Sequence, residues 1–314
     1  MSLAFTFPGQ GSQAIGMGAE LAEAFAAARE TFQEVDDALE QKLSKLMLEG
    51  PIEDLTLTQN AQPALMAVSM AVVRSLKAEF GVEVTRAAFV AGHSLGEYSA
   101  LAAAEALGLA ETARLLRLRG EAMQRAVPVG QGAMASLIGP KADVALAEAA
   151  AAAGSALGIC VVANDNNAGN VGISGDKAAV DRAIEKAKEL GARAVLLNVS
   201  APFHCPLMQP AADEMAEALA GAAISPPRTP VVANVTARPV LEPETIRRLL
   251  VEQITGRVRW RESVEWMAGE GGVTRFVELG AGKVLTGMAM RMLPDAEATA
   301  LNSPADLEAF AKTL

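Results

Sequence analysis

The sequence predicts an α/β fold: a mostly parallel sheet covered by helices on both faces, with a smaller β-α-β-β-α-β unit inserted into it. Two observations carry the larger part. Short apolar, strand-sized runs alternate with longer amphipathic stretches along the chain, and 51% of the 314 residues are hydrophobic against 20% charged. That balance suits a large buried core and argues against disorder. A third observation carries the insertion: in the middle of the chain the alternation gives way to strand, helix, strand, strand, helix, strand.

The first strand is Leu3–Phe7, which runs into the turn "PGQGSQ" (Pro8–Gln13). Helical periodicity fills most of Met17–Leu48, Pro51 to Thr58 reads as a loop, and a long amphipathic helix follows over Pro63–Glu79. "AAFVAG" (Ala87–Gly92) is a strand that ends in a turn, with helix resuming at Gly96 and again over Glu111–Ala126. The middle section reads as a strand at Gly132–Gly139, a helix at Lys141–Ala153, strands at Gly158–Asn164 and Asn170–Gly175, a helix at Asp176–Leu190 and a strand at Arg193–Val199. That order is ferredoxin-like. It divides the chain into a large domain, residues 1–129 and 200–314, and a small domain, residues 130–199. The large domain resumes with a helix at Pro210–Ala220, a strand at Thr229–Val235, a helix from Pro243 and another at Trp260–Gly269. A strand at Thr274–Gly280 and a helix at Lys283–Met292 complete it.

Bulk properties exclude several functions. The net charge of −10 argues against a nucleic-acid partner. No apolar run reaches membrane-spanning length without charge or glycine, and the start "MSLAFTFPGQ" lacks the pattern of a signal peptide, so no membrane association and a cytoplasmic location are expected. Two histidines and two unclustered cysteines, Cys160 and Cys205, make a histidine- or thiolate-based metal site unexpected. No exposed apolar stripe stands out, so a monomer is expected.

The string Gly92-His93-Ser94-Leu95-Gly96 reads G-x-S-x-G between a strand and a helix, the context in which such a turn lifts a serine hydroxyl clear of a sheet. Ser94 is therefore a candidate nucleophile, with helix N–H groups near its oxygen. Only His93 and His204 could serve as its base. His93 adjoins Ser94 in a tight turn and is poorly directed; His204, flanked by Pro202 and Pro206 in "APFHCP", is the better candidate. No acidic residue near these motifs offers itself as a third member, so a dyad is expected, with a backbone carbonyl orienting the imidazole. Oxyanion donors are the backbone N–H groups of Leu95 and of Gln10, in the glycine-rich turn after the first strand.

At 100° per residue, Arg119 falls on the apolar stripe of its helix with Leu115, Leu116, Ala122, Met123 and Ala126, while Arg114, Arg117 and Arg125 fall on the opposite face. A buried guanidinium needs an anion. Either an internal carboxylate such as Glu97 or a substrate carboxylate would satisfy it, and the sequence leaves both open. It likewise leaves open whether an acyl group on Ser94 passes to water or to a carried thiol.

Taken together, "FPGQGSQ", "AGHSLGEYSAL", "RLRGEAMQ", "GAMASLIG", "SAPFHCPLMQPAA", "VEQI" and "GAGKVLTGM" resemble, in order and over nearly the whole chain, the malonyl-CoA:acyl carrier protein transacylases of fatty acid synthesis. The resemblance implies an α/β-hydrolase-like large domain beside the ferredoxin-like one, with the active site between them. By motif it implies that Ser94 is acylated, that His204 is its base and that Gln10 and Leu95 form the oxyanion hole. It also implies that Arg119 binds the malonyl carboxylate and that the Gln253 main-chain carbonyl orients His204. Asn164, Asn166 and His93 would line the cleft. Malonyl-CoA is the implied substrate, acyl carrier protein the partner, and no bound cofactor or metal is implied. Arg114, Arg117 and Arg125, or Lys283 and Arg291, would meet the acidic carrier. A polyketide-type acyltransferase handling malonyl or methylmalonyl thioesters shares this machinery, and a serine thioesterase shares its first half. "NNAGN" departs from the family's usual turn, which puts contacts from Asn170 in doubt, while "GAG" at Gly280–Gly282 in place of Gly-Pro-Gly is a tolerated turn change.

Overall fold

The computed structural model describes residues 2–314, which form a mixed α/β structure with two sheets. The larger has six strands: β1 (Leu3–Phe7), β2 (Phe89–Gly92), β7 (Val231–Ala233), β8 (Arg238–Val240), β9 (Arg275–Leu279) and β10 (Glu297–Leu301). Their order is β10-β9-β1-β2-β7-β8, and every pairing is parallel except β7 with β8. The smaller sheet, all antiparallel, contains β3 (Gly132–Ile138), β4 (Cys160–Asn167), β5 (Asn170–Asp176) and β6 (Arg193–Leu196) in the order β4-β5-β3-β6.

Alternation along the central strands sends side chains to two cores, as expected for a sheet covered on both sides. Phe5, Phe7 and Val277 join the larger core, while Ala4 and Phe276 face a second one around Trp260, Val264 and Met267. The small sheet has its own core of Ala135, Leu137, Val162, Ile173 and Val180. Register then places the chemistry. Phe7 lies opposite Gly92, so the turn after β1 and the turn after β2 leave the same edge of the sheet side by side. The His93 N–H donates to the Phe7 carbonyl at 3.1 Å and fastens the two together.

Several sequence expectations shift. The helical region after Met17 is three helices, Ala19–Ala24, Ala26–Leu39 and Leu43–Glu49, because Phe25 is extended and Glu40 takes a left-handed φ of 49°. The expected loop at Pro51–Thr58 holds a short helix, Ile52–Thr56, behind Pro51. The next helix starts at Thr58 and runs to Phe80, with Pro63 inside it. Proline suits a first turn, which is why the sequence placed the start there. A further turn precedes it, with the Leu57 carbonyl accepting the N–H groups of Asn60 and Ala61. β8, β10 and a last helix, Pro304–Ala311, were not foreseen, although a Ser303–Asp306 capping box marks the last.

Candidate active site

Ser94 follows β2 and precedes the helix Gly96–Ala103, with φ at 52°. A non-glycine residue there is strained and persists only where its surroundings over-determine it. They do. A Cβ on Gly92 would lie 1.8 Å from the Gly96 carbonyl oxygen, and one on Gly96 would lie 2.3 Å from that of Phe7. Both glycines of the string are required by this packing. Asn234, just beyond β7, accepts the Ser94 N–H through Oδ1 at 2.8 Å and donates Nδ2 to the Gly92 carbonyl at 2.7 Å. It ties both sides of the turn, and nothing in the sequence pattern marked it.

His204 is also left-handed, with φ 58°, and buried. Its Nε2 lies 2.8 Å from Ser94 Oγ and its Nδ1 lies 2.9 Å from the Gln253 carbonyl oxygen. A carbonyl only accepts, so Nδ1 carries the proton and Nε2 presents a lone pair to the serine. Gln253 sits in the last turn of the helix Pro243–Thr255, where carbonyls lack intrahelical partners. The negative end of that helix favours a proton on the imidazole when one arrives. Burial, followed by the nearby Arg119 charge, pushes the His204 pKa down to about 3, so the resting ring is neutral. His93 does not reach Ser94; it donates Nε2–H to Asn166 Oδ1 at 2.9 Å.

Arg119 is 1% exposed, as its place on the apolar stripe required. Its Nη1 donates to Gln62 Oε1 at 2.7 Å, and its Nη2 donates to Gln253 Oε1 at 2.9 Å and Ser94 Oγ at 3.1 Å. The Tyr98 ring lies beneath it, 5.7 Å from centroid to guanidinium carbon. No carboxylate among the described residues pairs with it, and its Nε has no partner. Glu97 is instead bonded through Oε2 to the Asn234 N–H at 3.0 Å and to Gln253 Nε2 at 2.8 Å. Of the two readings open in the sequence, a direct pair with Glu97 is not formed. Burial pushes the Glu97 carboxyl up to about 7, against the pull of Asn234, Gln253 and Arg119. Gln62, Asn234 and Glu97 are the polar groups that sequence reasoning did not assign to the site. Gln253 was foreseen for its carbonyl but not for its amide.

These groups open into a cavity of about 330 Å³ whose wall includes Gln10, His93, Ser94, Leu95, Arg119, Asn164, Asn166 and His204. The backbone N–H groups of Gln10 and Leu95 have no acceptor among the described residues. Asn164 and Asn166 come from β4, which is fixed to the larger unit. The Asp165 N–H donates to the Val258 carbonyl at 2.9 Å, and buried Asp165 pairs with Arg261 at 2.9 Å. Asn170 lies off the cavity, accepting from Ser136 Oγ at 2.8 Å. Val284, Leu285 and Met288 line the cavity from the helix Val284–Met292, whose first turn is held by the buried Glu278 carboxylate. Among the described residues no group of histidine, cysteine or acidic side chains is arranged to hold a metal, and no helix is long and apolar enough to cross a membrane.

Of the expected basic contacts, Arg117 is half-buried and donates to Gln41, while Arg125 forks onto Glu214 at 2.7 and 2.9 Å. Lys283 and Arg291 are exposed and outside any ion pair among the described residues.

A family model described as "acyl transferase domain" matches residues 4–302. A malonyl CoA-acyl carrier protein transacylase of Bacillus subtilis is 45% identical over 313 residues, covering 99% of this chain and 97% of the relative. The crystal structure of an acyl-carrier-protein-S-malonyltransferase from Bartonella henselae is 54% identical, with a TM-score of 0.97 and coverage of 100% and 99%. A malonyl-transacylase solved in complex with its type II PKS acyl-carrier protein is 42% identical, with a TM-score of 0.96 and full coverage of both chains.

Proposed function

This chain belongs to the acyl transferase family, among the malonyl CoA-acyl carrier protein transacylases, and from that premise we propose a two-step transfer of malonyl from coenzyme A to acyl carrier protein, supplying fatty acid synthesis. His204 Nε2 takes the Ser94 proton as Oγ attacks the thioester carbonyl, and the N–H groups of Gln10 and Leu95 receive the oxyanion. The carbon–sulfur bond breaks, and the imidazolium returns the proton to the departing thiolate. In the second step the phosphopantetheine thiol of the carrier protein gives its proton to His204 and attacks the seryl ester. The carbon–oxygen bond breaks, the imidazolium returns the proton to Ser94 Oγ, and the serine is restored. Gln253 keeps the imidazole in the required tautomer through its carbonyl. No bound cofactor takes part.

One observation carries the substrate assignment. A buried guanidinium reaches Ser94 Oγ yet is held only by neutral amides and a hydroxyl. Such a charge favours an acyl group with a carboxylate of its own, which can form the paired fork that the amides do not. Asn164 and Asn166 shape the wall from the smaller sheet, and His93, beside Ser94, meets them through Asn166.

The same reading takes the large parallel sheet with its helices as an α/β-hydrolase-like domain, residues 1–129 and 200–314, and residues 130–199 as a ferredoxin-like domain that closes the cleft. The acidic carrier docks at the cavity mouth beside Lys283 and Arg291, and rising salt should slow its association. The enzyme acts as a cytoplasmic monomer.

Incubation with malonyl-CoA, with and without the phosphopantetheine-bearing carrier, tests the assignment. Coenzyme A release should stop after about one equivalent without the carrier and turn over with it. Full turnover without the carrier would mark a hydrolase and overturn the assignment.

A further inference from the structure

We infer that Thr58 is a positioning residue whose hydroxyl links the Arg119 carboxylate anchor to the Gln10 oxyanion donor; the inference rests on the malonyl transfer proposed above. Three hydrogen bonds make the link. Arg119 Nη1 donates to Gln62 Oε1 at 2.7 Å, Gln62 Nε2 donates to Thr58 Oγ1 at 2.9 Å, and Thr58 Oγ1 donates to Gln10 Oε1 at 3.0 Å.

Each link dictates the next. A guanidinium has donors only, so Gln62 must turn its oxygen to Arg119 and its amide nitrogen to Thr58. The threonine oxygen then accepts, and its single hydrogen goes to the Gln10 side chain. Thr58 and Gln62 are buried, 0% and 1% exposed, so water does not compete for the bonds that Gln62 makes to Arg119 and Thr58. Thr58 is the first residue of its helix, one place after the N-cap Leu57, and its hydroxyl is spent on the two glutamines.

Close packing fixes the same distance. Gly120, next to Arg119, carries no Cβ where one would lie 2.5 Å from Gln59 Cα and 2.7 Å from the Thr58 carbonyl oxygen. The turn bearing Arg119 therefore rests on the turn bearing Thr58. A malonyl thioester must place its carboxylate and its reacting carbonyl at once, a fixed span apart. The relay ties the two receiving groups to one another, which is a preorganisation of the kind that acts on rate.

The test is the single-turnover burst of coenzyme A release from malonyl-CoA. Thr58→Val should slow the burst about tenfold, the loss expected for one buried hydrogen-bonded link, and Thr58→Ser should stay within about twofold of the unaltered enzyme. Gln10→Met breaks the same bond from its half-exposed end without touching the helix, and should slow the burst by a similar factor. Because the bond that Gln10→Met removes is one of the two that Thr58→Val removes, the double variant should be no slower than Thr58→Val alone. Losses that multiply, or a Gln10→Met or Thr58→Val burst at the unaltered rate, would overturn the relay while leaving the malonyl assignment standing. An unaltered enzyme with no burst would overturn both.

Discussion

The two walls of the cavity are built differently. The wall from the parallel sheet holds two strained residues, Ser94 and His204, with glycines that admit no Cβ and a hydrogen-bond network that fixes the serine turn and the imidazole. The wall from the antiparallel sheet has a core of small aliphatic side chains, such as Ala135, Ala150 and Ala183, and gives the cavity two asparagines and the Leu197–Val199 segment. Its edge strand β6 leaves Val195 and Leu196 largely exposed. The difference teaches where rigidity is needed. Bond making demands groups held to a fraction of an ångström, and the first wall stores strain to achieve that. In the proposed mechanism the second wall only covers the cavity, for which amides on an ordinary sheet suffice.

If that contrast is right, changes on the first wall cost far more than changes on the second. Ser94→Ala should abolish the acyl-enzyme and His204→Ala should lower turnover by about 10³-fold or more, both read as the malonyl adduct and steady-state rate. Gly92→Ala should follow. A Cβ so close to the Gly96 carbonyl forces the turn apart, with an expected loss of about 3 kcal/mol or more in denaturant unfolding. A Gly92→Ala protein of ordinary stability would break the contrast.

A third, smaller effect concerns pH. His204 titrates at about 3 in the fold against an ordinary 6.5, so between those values the unfolded chain binds the extra proton and stability falls as pH falls. His204→Gln removes that proton site. Unfolding curves of the variant should lose less stability than the unaltered protein from pH 6.5 downward. Glu97, whose raised pKa acts in the opposite direction between about 7 and 4.5, is present in both and cancels in the difference. The smallest effect belongs to the second wall. Asn166→Ala removes one bond to His93 and should cost about fivefold in kcat/KM with little change in unfolding. A loss as large as that of His204→Ala would place chemistry on that wall and end the distinction.

Much of the first wall was legible in the sequence, because its demands are local. G-x-S-x-G between strand and helix marks Ser94, and helical periodicity alone put Arg119 on the buried face. The count of two histidines left His204 as the only usable base. What was not legible depends on which strands lie side by side. Asn234 follows β7, and only the parallel pairing of β7 with β2 brings it under the serine turn. Gln62 belongs to a helix whose apolar pattern gave no reason to single out one polar residue, and Glu97, weighed only as a partner for Arg119, bonds instead to Asn234 and Gln253 from distant parts of the chain. Strand β10 escaped because "EATAL" carries little apolar alternation and is defined by its pairing with β9. Arg117 was assigned to a solvated face by its angle, and Gln41, in the bend between the helices Ala26–Leu39 and Leu43–Glu49, draws it in.

The central claim is that Arg119 is held unpaired by carboxylate in order to receive the one on the substrate. Its most direct test is the rate of Ser94 acylation by malonyl-CoA against acetyl-CoA, in the unaltered enzyme and in Arg119→Ala. The account predicts a malonyl preference of about 100-fold or more that collapses in the variant, while the folded protein still accepts acetyl on Ser94. A folded Arg119→Ala enzyme that keeps its preference for malonyl would contradict it.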